Sequence, residues 1–176
     1  ASISSDGKTW KHSPPGKRSG KSQVYEIEVP AETTWFAWGP TYVLADAKRL
    51  VENTAKAKVG AKAYVLCKSQ EGHEVPALRW EPEGDDKQPA LWIQARQHAW
   101  ESGSSWVCQG LVEWLVSDDE AAKKLRQTAC IHVVPIMDAD NVERGAGGKN
   151  QIPHDHNRDW SAQPRYPEVA AAQNWI

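Results

Sequence analysis

A histidine and a glutamate three residues apart, His98 and Glu101, stand in the segment Arg96-Gln97-His98-Ala99-Trp100-Glu101, directly after a short apolar run. An imidazole nitrogen and a carboxylate oxygen are both good donors to zinc, and a turn at the end of a strand can aim the two at one point. A second polar group, Asp155-His156-Asn157-Arg158-Asp159-Trp160, falls in a loop after the next apolar run. There a guanidinium beside an amide is shaped to grip a carboxylate at two points. Each group also has a plainer interpretation: a surface histidine followed by the glutamate that starts a helix, and a solvated loop in which Arg158 pairs with Asp155 or Asp159.

Holding such groups together requires strands that end side by side. Residues 1–40 begin as a Ser/Gly/Lys/Pro-rich stretch and pass through the alternating segment Gln23 to Val29 to Trp35-Phe36-Ala37-Trp38. Alternation predicts half-buried strands, and the stretch reads as the end of a small β-module. After Gly39-Pro40, the spacing of Leu44, Ala47, Leu50 and Val51 predicts a helix. Ala63 to Lys68 and Val75 to Trp80 read as a hairpin around Gln70-Glu71-Gly72, followed by a polar loop from Glu81 to Gln88. Ala90 to Ala95 is apolar enough for a buried strand.

Beyond His98, Ser104 or Ser105 is expected to cap a helix whose core face is Val107, Leu111, Trp114 and Leu115. Asp119 to Arg126 starts with acids and ends with bases, as a helix dipole favours. Ile131 to Met137 is another buried strand, and the loop of about twenty residues after it is rich in Gly, Asp, Asn and His. Strand, helix, strand and loop together predict an α/β fold with a mixed central sheet flanked by helices.

Composition narrows the classes. The chain has 176 residues, 40% of them hydrophobic and 25% charged, and a net charge of -2 without a basic footprint, which excludes nucleic acid as a partner. No run is apolar for long enough to span a bilayer, so no membrane role is expected. The compartment is left open with the cytoplasm preferred, and the oligomeric state is open. Cys67, Cys108 and Cys130 are odd in number and widely spaced, and are expected to be buried small hydrophobes.

Taken in order, these segments resemble the M14 zinc carboxypeptidases, in particular their cytosolic-carboxypeptidase-like bacterial branch. Ser69-Gln70-Glu71-Gly72-His73 resembles that branch's Ser-x-x-Gly-Arg hairpin, and Ala95 to Ser102 its metal-binding motif. Val134-Pro135-Ile136-Met137-Asp138-Ala139-Asp140-Asn141-Val142 is similar to its Val-Pro-x-x-Asn-Pro-Asp-Gly-Val segment, and Asp155-His156-Asn157-Arg158 to its Asp-x-Asn-Arg. The resemblance implies a hydrolase that removes residues from the C-terminus of a peptide or protein. It implies Zn2+ held by His98 and Glu101, a substrate carboxylate clasped by Asn157 and Arg158, and Asp138 or Asp155 supporting a ligand from behind. Residues 41–176 would then be the N-terminal portion of the catalytic domain.

The pattern is broken at three places. The family's third ligand, a downstream His, and its general-base Glu have no counterpart here, so this polypeptide is expected to be inactive by itself. An oxyanion-stabilising Arg is replaced by Gly148, leaving the neighbouring Lys149 to supply positive charge. His73 stands in place of a substrate-contacting Arg. Of His154 and His156 at most one is expected to face a metal, and loop packing is the expected role of both. His132 is expected to be a satisfied core residue. Two alternatives remain in view: a peptide-carboxylate-binding module without chemistry, and a zinc deacylase or amidase of related fold.

Overall fold

The computed structural model describes residues 1–29, 31–57, 59–82 and 88–176. Residues 83–87, within the polar loop expected from Glu81 to Gln88, lie outside the described residues. The chain divides into two compact units, Ala1–Thr41 and Tyr42–Ile176.

The first unit is built from very short strands. β1 (Ser2–Ser4) lies between β2 (Lys11–His12) and β5 (Trp35–Ala37), antiparallel to both, while β3 (Lys17–Ser19) and β4 (Ser22–Val24) form a separate hairpin. The half-buried strand expected from Gln23 to Val29 is not formed. Only Ser22–Val24 pairs, all three residues are exposed, and Tyr25 to Val29 are irregular. Beyond Val24 the alternating segment pairs with no strand among the described residues, and only Tyr25 and Ile27 in it are half-buried.

The second unit is an α/β layer structure. α1 (Leu44–Lys56) buries Leu44, Ala47, Val51 and Thr54, and Asp46 accepts the Val43 N–H at 2.8 Å to close its first turn. β6 (Ala61–Lys68), β7 (Glu74–Trp80), β8 (Ala90–Gln94) and β9 (Cys130–Val134) form a sheet in the order β6-β7-β9-β8, antiparallel except for the parallel pair β8 and β9. Among the described residues β8 is therefore bonded on one side, to β9. β7 is central, and its alternation divides the core: Val75 and Ala77 join one apolar cluster, Leu78 and Trp80 the other.

The β8–β9 connection carries α2 (Ser102–Leu115) and α3 (Glu120–Thr128), the latter capped by Asp119, whose carboxylate accepts from Ala121 N and Ala122 N. The buried face of α2 differs from expectation. Ser105, Cys108, Val112 and Leu115 face inward, and Val107 is 75% exposed. The reason is polar: Ser105 Oγ donates to Pro135 O at 2.8 Å, which fixes the helix rotation around a buried hydroxyl instead of the most apolar stripe.

The loop expected after β9 contains α4 (Ala139–Arg144), capped by Asp138 and ended by Gly145 in the left-handed conformation. A short 3-10 turn (His156–Arg158) and α5 (Pro167–Gln173) follow. Of the cysteines, all free, Cys108 is buried and its thiol is pushed up to about 12 by burial, whereas Cys67 and Cys130 are only half-buried, against expectation. His132 is buried as expected, with Tyr64 Oη 2.9 Å from its Nδ1.

Candidate metal and carboxylate site

The chain leaves β8 through a hydrogen-bonded extension. Ala95 N donates to Val134 O at 2.9 Å, Met137 N to Ala95 O at 2.9 Å and Asp138 N to Arg96 O at 3.1 Å, so the end of β8 is locked to the segment after β9. Arg96 then takes φ 60, a left-handed conformation that a side-chain-bearing residue rarely adopts. Its guanidinium, almost fully buried, pays part of that strain by donating to Ala99 O at 2.6 Å and Tyr42 O at 2.9 Å. Burial pushes the Arg96 pKa down to about 10, against the pull of Asp138. The turn that follows closes through Glu101 N donating to His98 O at 3.1 Å, which is what brings two side chains three residues apart to one place.

His98 is 5% exposed and lies between two carboxylates. Its Nδ1 is 3.1 Å from Glu101 Oε1, and its Nε2 is 2.9 Å from Asp155 Oδ1. A proton on Nε2 donated to Asp155 leaves the Nδ1 lone pair beside Glu101. Tetrahedral zinc with bonds near 2.0–2.1 Å separates its donors by about 3.3 Å, so this pair has the spacing of two ligands to one ion.

Asp155 joins the two sequence groups. The same Oδ1 also accepts from Asn157 N at 2.8 Å. Burial opposes ionisation of Asp155, but the His98 hydrogen bond, the Asn157 N–H and the charges of His98 and Arg158 outweigh it and hold the carboxyl below its usual range. Asp138, the other residue considered for this supporting place, instead binds Asn141 through both oxygens, at 3.0 and 2.9 Å, and burial raises its pKa.

Arg158 is exposed and donates to Asn157 O at 3.2 Å, and among the described residues no ion pair to Asp155 or Asp159 occupies it. Lys149 Nζ lies 3.9 Å from Glu101 Oε1 and 5.5 Å from the centre of a Trp100 ring. It borders a cavity of about 410 Å³ whose lining includes Trp100, Asn141, Arg144, Gly148 and Gln151.

Neither His154 nor His156 joins His98 and Glu101. His154 Nε2 is 2.8 Å from Asp159 Oδ1, and the buried His156 meets Gln97 through Nδ1 and stacks on Tyr166.

Three further residues shape the site, and sequence reasoning gave two of them, Arg96 and Gln97, no role. Arg96 and Gln97 brace the turn that carries His98 and Glu101, through Ala99 O and Tyr42 O and through His156. Gly148, with φ +99, passes so close to that turn that a Cβ would lie 2.8 Å from Ala99 N and 3.2 Å from His98 Cα. That contact explains why no arginine stands at 148, since any side chain there would collide with backbone.

The support from Asp155 leads to a measurable expectation. Asp155→Ala should weaken zinc binding by about 10–100-fold with the fold retained, measured by competition with a chromophoric chelator. Unchanged affinity would remove Asp155 from the site.

Residues 49–173 match the sequence model described as zinc carboxypeptidase, peptidase family M14. Cytosolic carboxypeptidase 6 of Caenorhabditis elegans is 36% identical over 88 residues, covering 49% of this chain and 19% of that protein. The metallo-carboxypeptidase of Burkholderia cenocepacia superposes with a TM-score of 0.85 at 28% identity, over 99% of this chain and 48% of that one. A metallo-carboxypeptidase from Pseudomonas aeruginosa, solved in complex with (2-guanidinoethylmercapto)succinic acid, has a TM-score of 0.78 at 26% identity, over 99% of this chain and 46% of that one. The chain spans less than half the length of the curated relatives it matches. Among the described residues no helix is long and apolar enough to cross a membrane.

Proposed function

Since the chain belongs to the zinc carboxypeptidase family, we propose that it provides part of the active site of a metallocarboxypeptidase-type hydrolase that removes C-terminal residues from peptides or proteins. The observation that carries this reading is the double use of Asp155 Oδ1, which ties the His98/Glu101 pair to the Asn157-Arg158 turn.

In this reading His98 Nδ1 and Glu101 Oε1 are two protein donors to zinc. A zinc ion held there would supply Lewis-acid polarisation of a carbonyl and a lowered pKa of a bound water. Asp155 holds the Nε2 proton of His98 and so fixes the tautomer that leaves Nδ1 free to donate. Asn157 and Arg158 clasp the terminal carboxylate of the substrate, and Arg158 thereby positions the scissile bond. Lys149 contributes positive charge beside Glu101, where negative charge develops on the carbonyl oxygen. The succinic acid derivative bound by the Pseudomonas aeruginosa relative is a dicarboxylate, in keeping with a carboxylate-binding site. Residues 1–40 are proposed as the end of a β-module and 41–176 as the N-terminal portion of the catalytic domain. The third zinc donor and the general-base Glu are proposed to lie outside these 176 residues.

The test uses the whole protein and pairs of peptides that differ only in a free or an amidated C-terminus. Free acids should be cleaved and amides resisted. Arg158→Ala should lower kcat/KM for the free acids by about 100-fold, mostly through KM, as expected for loss of one charged partner. Equal cleavage of acids and amides would overturn the clasp.

A further inference from the structure

A group of three metal-capable side chains lies apart from the residues above. Glu71 and His73 stand on the turn joining β6 to β7, and Asp140 stands in the first turn of α4. One donor atom from each lies within 4.8 Å of the others.

Asp140 makes the group more than a chance meeting of surface charges. It is 9% exposed, its Oδ2 accepts from Glu71 N at 3.2 Å, and its Oδ1 is buried without a hydrogen-bond partner. A buried carboxylate oxygen left unbonded is costly, and a cation held by the group would give it a partner. Arg144 already pairs with Glu71, and His73 Nε2 lies 3.9 Å from Glu71 Oε2, so the group holds one cation at its outer side.

We propose that Glu71, His73 and Asp140 form a second divalent-cation site, suited to zinc, that ties the β6–β7 turn to α4. One imidazole and two carboxylates are a mixed nitrogen and oxygen set of the kind zinc accepts, unlike the all-oxygen shells of calcium. Zinc donors stand about 3.3 Å apart, so the three side chains must close by at most about 1.5 Å on binding. The movable members are on the turn: Glu71 and His73 have side chains 38% and 36% exposed, and Gly72 between them takes φ +87 in open space. Asp140 is the fixed member. Arg144 competes with the ion for Glu71.

The site shares no residue with the His98/Glu101 pair, so the two can be tested in one experiment. Metal-free protein is titrated with Zn2+ against a chromophoric chelator. His73→Ala and Asp140→Asn should each remove the same zinc equivalent, or weaken it about tenfold or more, while leaving the far-UV circular dichroism unchanged. Arg144→Ala should tighten that equivalent several-fold. If folded His73→Ala protein binds zinc with wild-type stoichiometry and affinity, the site does not exist. If an equivalent sensitive to His73 and Asp140 is present and none depends on His98, this site stands and the metal reading at His98 fails.

Discussion

Alanine in place of His98 is expected to cost the whole protein about a thousandfold in zinc affinity, roughly 4 kcal/mol, at the position shared with Glu101. The size follows from what His98 does. It is 5% exposed, its side chain is the more buried of the two neighbouring donors, and the side chain of Glu101 is half open to water and a weak anchor for an ion by itself. The loss must also exceed the 10–100-fold expected at Asp155, which acts only through this imidazole. Zinc content after dialysis, measured by mass spectrometry on wild type and variant, decides the matter. The His73-dependent equivalent serves as an internal control, because it should persist. A variant that keeps its full complement of zinc would end the case for a metal at this turn.

Trp80→Ala should be the most damaging substitution to folding, lowering stability by about 3–5 kcal/mol. Trp80 is 1% exposed, ends the central strand β7, and packs in the cluster that includes Leu78, Val112, Leu115, Ile131 and Val133. Removing an indole there leaves a void between sheet and helix that neighbours paired on both sides cannot close. For a domain whose total stability is of order 5–15 kcal/mol, that is a large share. Trp80→Phe separates volume from polarity. The indole Nε1 is buried without a hydrogen-bond partner, so the phenyl ring removes an unsatisfied donor and should cost far less than alanine. Urea midpoints for the two variants provide the comparison, and a loss below about 1 kcal/mol for alanine would show that the cluster is not the keystone its burial implies.

Periodicity carried most of the second unit. The helix at Leu44, the hairpin around Gly72 and the strands at Leu91 and Ile131 all follow from spacing that local backbone geometry enforces. Where the reading failed, a tertiary contact decided the outcome. The inward face of α2 is set by the Ser105 hydroxyl reaching Pro135, which no apolar count registers. α4 was hidden inside a polar loop, although Asp138 before it and Gly145 after it are a start and a stop signal in hindsight.

The candidate site shows the same division. His98 and Glu101 are legible because three residues of one turn bring them together. Asp155 is 57 residues away in sequence from the imidazole it touches, and its choice over Asp138 required coordinates. The bracing roles of Arg96 and Gln97 and the close backbone approach at Gly148 carry no signature, because each depends on where distant backbone and side chains lie.

The one-sided bonding of β8 has a practical corollary. Among the described residues its outer row of amides and carbonyls has no strand partner, and Leu91, 37% exposed, stands upon it, so a further extended segment can pair there. A lysine at position 91 would act as a gatekeeper there, discouraging a strand from another molecule while leaving the β8–β9 pairing intact.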